Sequence, residues 1–272
     1  MFDYTEDEIM RYSRHILLAE VGVEGQELIR NGRVLVVGAG GLGSPVAMYL
    51  AAAGVGTIGI LDGDWVELSN LQRQVLHFTP DIGRPKVESA REKLLKMNPG
   101  VNVVMHQEFL TAENAAEIIK DYDFVVDGTD NFSAKFLIND ACVLAGKGFS
   151  HGGILNFQGQ TFTYVPGHAC YRCMFGDPPP PGEVPTCAQS GVLGAVAGML
   201  GTIQATETLK FLTGAGELLT DHLLSFDAKT MAFRKIGIRR SAECPICGLH
   251  PTITELADCE RPACDMKQCE TR

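Results

Sequence analysis

No run of apolar residues in this chain approaches the ~20 needed to span a bilayer. The richest, from Gly191 to Gly201, is too short and is broken by glycines. The opening MFDYTEDEIMRYSRH is acidic and lacks the apolar centre of a secretory signal. Both absences lead us to expect a cytoplasmic protein without membrane association. Positive charge is scarce as well: 23 lysines and arginines stand against 33 aspartates and glutamates, a formal net charge of −10. Extended contact with nucleic acid, which needs a basic face, is thereby excluded. A small phosphate held by a local pair of cations is not.

Against these absences, 45% of the 272 residues are hydrophobic and 21% charged, enough to build a core. That length allows two domains or one large α/β unit. There is no internal repeat and no linker long enough to divide the chain. Nine cysteines remain to be explained. An odd number without a secretory signal points to metal binding or reactive thiols rather than a disulfide framework.

Thr5 and Glu8 are spaced as a capping box ahead of a first helix. The nearly all-apolar run Arg33 to Val37 reads as a strand covered on both faces. A glycine turn, a helix and a second buried strand, TIGILD, follow. An amphipathic helix, KVESAREKLLKMN, ends at Pro99-Gly100, and a strand is expected over Val101 to Met105. A helix over Ala112 to Lys120 and a strand in DFVVDGTD complete the alternation. This is the pattern of a Rossmann-like, doubly wound α/β sheet, mainly parallel in the N-terminal half. Beyond Gly148, FSHGGILNFQGQTFTYV reads as two antiparallel strands joined by a glycine-containing turn. The proline run in GDPPPPGEVPT forces an exposed extended loop. A glycine-rich helix, Gly191 to Leu212, and strands near LLSFDA and FRKIGI end the fold.

Gly38, Gly40 and Gly43 in RVLVVGAGGLGSPVAMYL form a G-x-G-x-x-G turn between strand and helix, the context in which that motif binds a nucleotide phosphate. Asp62 ends the second strand, where an acid can hydrogen-bond ribose hydroxyls. Up to this point NAD and ATP fit equally. The next segment gathers Asn70, Gln72, Arg73 and Gln74, then Lys86 at a helix start. Fixed cations of this kind suit a triphosphate. Asp127 and Asp130 lie at the carboxyl end of a strand, and such hard oxygens suit Mg²⁺. Asp130 could alternatively cap the helix beginning near Asn131.

RYSRHILL, GAGGLGSP, LSNLQRQ, GRPKVESA and DGTDNF, in that order, resemble the ThiF/MoeB/HesA family of bacterial adenylyltransferases, relatives of the ubiquitin-activating enzymes. The resemblance runs from the first helix to about residue 250. It implies one adenylyltransferase domain over residues 1–250 and a cysteine-containing tail over 251–272. It also implies that ATP rests on the glycines, including Gly41, with Asp62, Asp64, Asn70, Arg73, Gln74, Lys86 and Asp130 around it. The implied reaction adenylates the C-terminal carboxylate of a small ubiquitin-fold sulfur carrier ending in Gly-Gly, and pyrophosphate leaves. The carrier would be ThiS-like or MoaD-like, serving thiamine or molybdopterin synthesis. An already ionised carboxylate needs no general base. The catalytic set is then Arg73, Lys86 and Asp130 with its Mg²⁺, plus Arg14 reaching the nucleotide of a partner subunit in a homodimer; Arg11 stays open, and both arginines have acidic neighbours on their own helix. A separate protein is expected to donate sulfur. Two rival readings are an NAD(P)-dependent oxidoreductase and a non-catalytic scaffold that binds a carrier.

CYRC (Cys170, Cys173) and CPIC (Cys244, Cys247) are two C-x-x-C knuckles, read together as a closed structural Zn²⁺ site. Cys187, in VPTCAQSG, precedes an apolar helix whose N-terminus would lower its pKa. By the resemblance it can accept sulfur or a carrier; a small loop residue is an equal alternative. Cys142 reads as core, and His77 and His151 as surface or satisfied core histidines. Cys259, Cys264 and Cys269 read as part of a solvated tail.

Overall fold

The computed structural model describes residues 3–179 and 190–258. The chain enters through helices α1 (Glu6–Ile16) and α2 (Gly22–Asn31). Strands and helices then alternate: β1 (Arg33–Val37), α3 (Gly43–Ala53), β2 (Thr57–Leu61), α4 (Lys86–Met97), β3 (Asn102–His106) and α5 (Ala115–Ile119). β4 (Phe124–Asp127), α6 (Phe132–Leu144), β5 (Gly148–Leu155) and β6 (Gln158–Tyr164) follow, with a short α7 (Tyr171–Phe175). A long α8 (Gly194–Thr213), β7 (His222–Asp227) and β8 (Ala232–Gly237) come last.

Among the described residues, eight strands form one sheet in the order β3-β2-β1-β4-β5-β6-β7-β8. The first five in that order run parallel, and β6, β7 and β8 are added antiparallel. The expected mixed α/β architecture is therefore what the chain adopts. Alternation along β1 divides the core. Val34 and Val36 pack with Leu50 of α3, Leu94 of α4 and Ala205 of α8 on one face. Leu35 and Val37 pack with Ile119 of α5 and Phe136 of α6 on the other. Each such buried Val, Leu, Ile or Phe side chain contributes about 1.5–3 kcal/mol relative to exposure. No helix among the described residues is long and apolar enough to cross a membrane.

Local chemistry sets the element ends. Thr5 accepts from the Glu8 N–H, and Glu8 accepts from the Thr5 N–H, closing the expected capping box. α3 stops at Gly54, whose φ of +85° is left-handed. The β5–β6 hairpin turns on Asn156 and Phe157 rather than on a glycine; Asn156 itself takes φ 55°. Asn tolerates this region because its short polar side chain can hydrogen-bond locally. Gly191 (φ +76°) lies outside α8, which starts three residues later than expected.

β2 and β4 flank β1 on opposite sides, so the connections leaving β1 and β4 diverge. A crevice opens at the carboxyl edge between them, the place where open α/β sheets bind ligands.

Candidate active site

A cleft of about 460 Å³ occupies that crevice, and its walls include Gly38, Gly40, Gly41, Asp62, Arg73 and Asp130. Gly38 has φ +92°, which a side chain would strain. A Cβ on Gly43 would lie 1.7 Å from the Gly38 carbonyl oxygen. Gly43 does not line the cleft; it lets the start of α3 press against the turn. At Gly40 a Cβ would meet nothing nearer than Gln74 Nε2 at 3.8 Å. Bare backbone there faces open space, and its N–H groups lead into the α3 N-terminus, a setting that favours anions.

Asp62 ties this turn to the second strand. Its Oδ2 accepts from the Ala39 N–H and its Oδ1 from the Asp64 N–H, each at 2.8 Å. Lys86 starts α4 and is buried at the cleft. Its Nζ lies 2.8 Å from Asp64 Oδ2 and 3.8 Å from Asp62 Oδ2. Arg73 runs along Gly41 and donates to the Ser69 carbonyl at 2.9 Å. Two cations thus stand on the wall beside the glycine turn. Gln74 is buried there, and its Oε1 has no partner among the described residues.

Asn70 differs from expectation. It does not line the cleft; its Oδ1 accepts from the Glu67 N–H at 3.1 Å, and its carbonyl accepts from the Arg73 and Gln74 N–H groups. It shapes the short helical turn, Leu68–Asn70, that presents Arg73 and Gln74.

Asp130 is an exposed carboxylate on the cleft wall. The helix cap is its neighbour: Asn131 Oδ1 accepts from the Ala134 N–H at 2.9 Å. Asp127, read beside it as a metal ligand, is engaged elsewhere. Its carboxylate accepts from Thr129 (2.6 Å), Lys135 Nζ (3.0 Å) and His151 Nδ1 (2.9 Å). Burial alone would push this carboxyl up, but Lys135 and the His151 and Thr129 bonds hold it well below the usual range. With its charge matched inside the fold, Asp127 is not free to hold Mg²⁺.

Sequence reasoning missed Lys135 and misjudged His151. Lys135 Nζ also donates to the Thr129 carbonyl (2.8 Å) and the Gly152 carbonyl (2.5 Å), closing the floor between β4 and β5. His151 is only 1% exposed and lines the cleft, yet its Nε2 has no partner among the described residues. Burial, aided by the Lys135 ammonium, pushes its imidazolium below the ordinary range despite the bond to Asp127. The available signal was parity: Val126 pairs with Ser150, so His151 follows on beside Asp127. His77 is a satisfied core residue, bonded to Ser89 Oγ (2.9 Å) and the Ala39 carbonyl (3.0 Å). Cys142 is fully buried, which pushes its thiol up.

The four knuckle cysteines converge: all four Sγ atoms lie within 4.8 Å of one another. Tetrahedral zinc with ~2.3 Å bonds separates its thiolates by roughly 3.8 Å; the Cys170–Cys244, Cys170–Cys173 and Cys173–Cys247 separations are 3.6, 3.9 and 3.3 Å. The donor set fits a closed site. Cys173 is held below the ordinary thiol range by its contact with the Cys170 thiol and by the Ser241 N–H. Arg172, between the first two cysteines, forks onto Asp140 of α6 with two 2.8 Å bonds. The cluster thereby joins the chain after β8 to the floor of the site.

Arg14 is exposed and does not reach the cleft of its own chain. Tyr12, on the same helix, abuts Gly54 at the end of α3 and accepts from Asn98 at the end of α4. Both helices run back from the carboxyl edge, so α1 is moored at the opposite, amino edge of the sheet. Cys187 and the tail cysteines Cys259, Cys264 and Cys269 lie outside the described residues.

Residues 12–246 match the model of the ThiF family. The sulfur carrier protein adenylyltransferase of Thermus thermophilus is 49% identical over 263 residues, covering 94% of this chain and 97% of that one. The SAMP-activating enzyme E1 of Haloferax volcanii is 48% identical and covers 89% of each chain. The probable adenylyltransferase/sulfurtransferase MoeZ of Mycobacterium tuberculosis is 47% identical, but the match spans 65% of its length. Among solved structures, E. coli MccB with MccA-N7isoASN superposes with a TM-score of 0.80 at 25% identity, covering 90% of this chain and 76% of that one.

Proposed function

The chain belongs to the ThiF family, and from that premise we propose that it adenylates the C-terminal glycine carboxylate of a ubiquitin-fold sulfur carrier. ATP is the second substrate and pyrophosphate the product. The observation that carries this reading is one cleft holding bare glycine backbone, Arg73, Lys86 and an uncapped Asp130 together. A nicotinamide dinucleotide carries only its bridging pyrophosphate in this region and has little use for two further cations, while a scaffold needs no phosphate-binding set.

The carboxylate attacks the α-phosphate in line while the P–O bond to pyrophosphate breaks. No proton moves at the attacking oxygen, so the residues act through position and charge. Backbone N–H groups at the glycine turn and Arg73 hold phosphate oxygens, and Gln74 offers its amide beside them. Lys86 exchanges part of its contact with Asp64 for phosphate. Asp62 keeps the turn closed and presents its remaining lone pairs to ribose. Asp130 would hold Mg²⁺, which supplies charge neutralisation on the departing pyrophosphate. Zn²⁺ in the four-cysteine site would be structural, with no open position for substrate.

Arg14 completes the site of a second copy in a two-fold homodimer. Its place at the amino edge, away from its own cleft, supports that arrangement. The test of the whole reading is exchange of labelled pyrophosphate into ATP, dependent on an added carrier ending in Gly-Gly. Exchange in wild type and none in Asp130→Ala is expected. A folded, zinc-loaded protein inert with every ThiS-like and MoaD-like carrier refutes the activity; full exchange in Asp130→Ala refutes the metal ligand.

A further inference from the structure

Beyond Gly128 the cleft runs out over β5, β6 and β7, away from the glycine turn. Gly153 of β5 stands opposite Gln160 of β6, Gln160 opposite Ser225 of β7, and Ser225 opposite Arg234 of β8. Directly opposed residues of antiparallel strands lie on one face of a sheet. These four therefore form a single row crossing from the cleft to the sheet edge, and the first three line the cleft. The other face is closed: Phe226, next to Ser225, packs with Leu200 of α8.

The row is polar and open to solvent. Gly153, Gln160 and Ser225 are half-buried, and Arg234 is exposed on the outermost strand. The Gln160 carboxamide, the Ser225 hydroxyl and the Arg234 guanidinium have no side-chain hydrogen bond or ion pair among the described residues. A Cβ on Gly153 would lie 3.4 Å from Gln160 Cγ and 3.5 Å from its Nε2, so the amide stands beside bare backbone. A carboxamide donates and accepts at once. That matches the N–H and C=O groups of an extended main chain better than it matches an anion. The row's charge sits at its outer end, where a guanidinium suits a carboxylate. Strand spacing of ~4.8 Å makes the span from β5 to β8 about 14 Å, which roughly four extended residues at ~3.3 Å each would cover.

We propose that this row is the track for the carrier's extended C-terminal segment, in which Gln160 and Ser225 hydrogen-bond the main chain and Arg234 pairs with an acidic side chain about five residues from the end. The inference rests on the adenylation reading above, which brings the terminal carboxylate to the nucleotide beside β4. With the last residue over Gly153, the fifth from the end lies over β8. The two kinds of contact divide the work. Main-chain bonds accept any extended terminus, and Arg234 selects among carriers by charge.

The test scans charge along a Gly-Gly carrier, placing Glu or Lys singly at each position from the third to the eighth before its end. Pyrophosphate exchange is measured with wild type and with Arg234→Glu, a change at an exposed site that leaves the core untouched. In wild type, Lys in place of Glu near the fifth position should raise the carrier's KM by about fivefold, the upper worth of an exposed ion pair. In Arg234→Glu the preference at that same position should reverse, while the other positions keep theirs. Gln160→Ala should raise the carrier's KM by about five- to tenfold, the loss of one hydrogen bond, with the KM for ATP unmoved. No position that reverses, or a reversal only at the third or the eighth, overturns the proposal. So does an unchanged carrier KM in folded Gln160→Ala; should that variant not fold, the charge scan decides alone. A wild type inert toward every Gly-Gly carrier instead refutes the adenylation reading, a distinguishable failure.

Discussion

Lys135→Met tests the charge arrangement beneath the cleft. Lys135 and Asp127 are 7% and 1% exposed, with Nζ 3.0 Å from Oδ2. The substitution keeps the apolar stem but strands a buried carboxylate and leaves the Thr129 and Gly152 carbonyls without their donor. Breaking a buried pair from one side costs about 3–5 kcal/mol. For a chain of this size each kcal/mol lowers Tm by roughly 2–4 °C, so a fall of about 6–20 °C is expected. Adding Asp127→Asn removes the stranded charge and should restore a good part of the loss, though not the two carbonyl bonds. The pH dependence follows from the depressed Asp127 pKa in wild type. That depression stabilises the native state above the unfolded carboxyl pKa and fades as pH falls toward the folded one. Without Lys135 the folded pKa rises, so protonation relieves the stranded charge. The gap between variant and wild type should therefore narrow from pH 7.5 to pH 5. Scanning calorimetry at one scan rate on the zinc-loaded proteins reads all of this. A single variant within 2 °C of wild type, or a double variant no more stable than the single, would refute the reasoning.

Gly43→Ala should abolish nucleotide binding by equilibrium dialysis, because its methyl group would overlap the Gly38 carbonyl and force the turn open; near-normal ATP affinity would sink that explanation. Cys173→Ser should release zinc, by atomic absorption, and lower Tm, since one ligand of a closed site is lost; full retention of the metal would contradict the shared site. Arg14→Ala and Asp130→Ala should each be inactive alone. After subunit exchange at equal amounts they should recover roughly one quarter of wild-type exchange, because half the dimers are mixed and each mixed dimer holds one intact site. No recovery, with exchange verified by native mass spectrometry, argues against an arginine supplied in trans.

Much of this was legible in the sequence, for physical reasons. Buried parallel strands write continuous apolar runs, so β1, β2 and β4 could be read directly, and paired C-x-x-C knuckles declare a four-thiol cluster even across 74 residues of separation. The glycine turn is local and carries its own signature. His151 and Lys135 escaped because their meaning lies in register: one follows the Val126–Ser150 pair on β5, the other sits one turn into α6, and both meet on Asp127. Asn70 misled in the opposite sense. In a polar segment, an amide that shapes a turn and an amide that binds a ligand look alike. Arg14 could only be placed by resemblance, since its neighbours in one chain say where it is not.

The most direct measurement is the intact mass of a Gly-Gly carrier after brief incubation with this protein, ATP and Mg²⁺ and a rapid acid quench. One AMP added to the carrier, and none to a carrier lacking its last glycine, is the predicted result. An unmodified carrier alongside folded, zinc-loaded protein would contradict the account, and modification of the truncated carrier would contradict the terminal carboxylate as the point of attack.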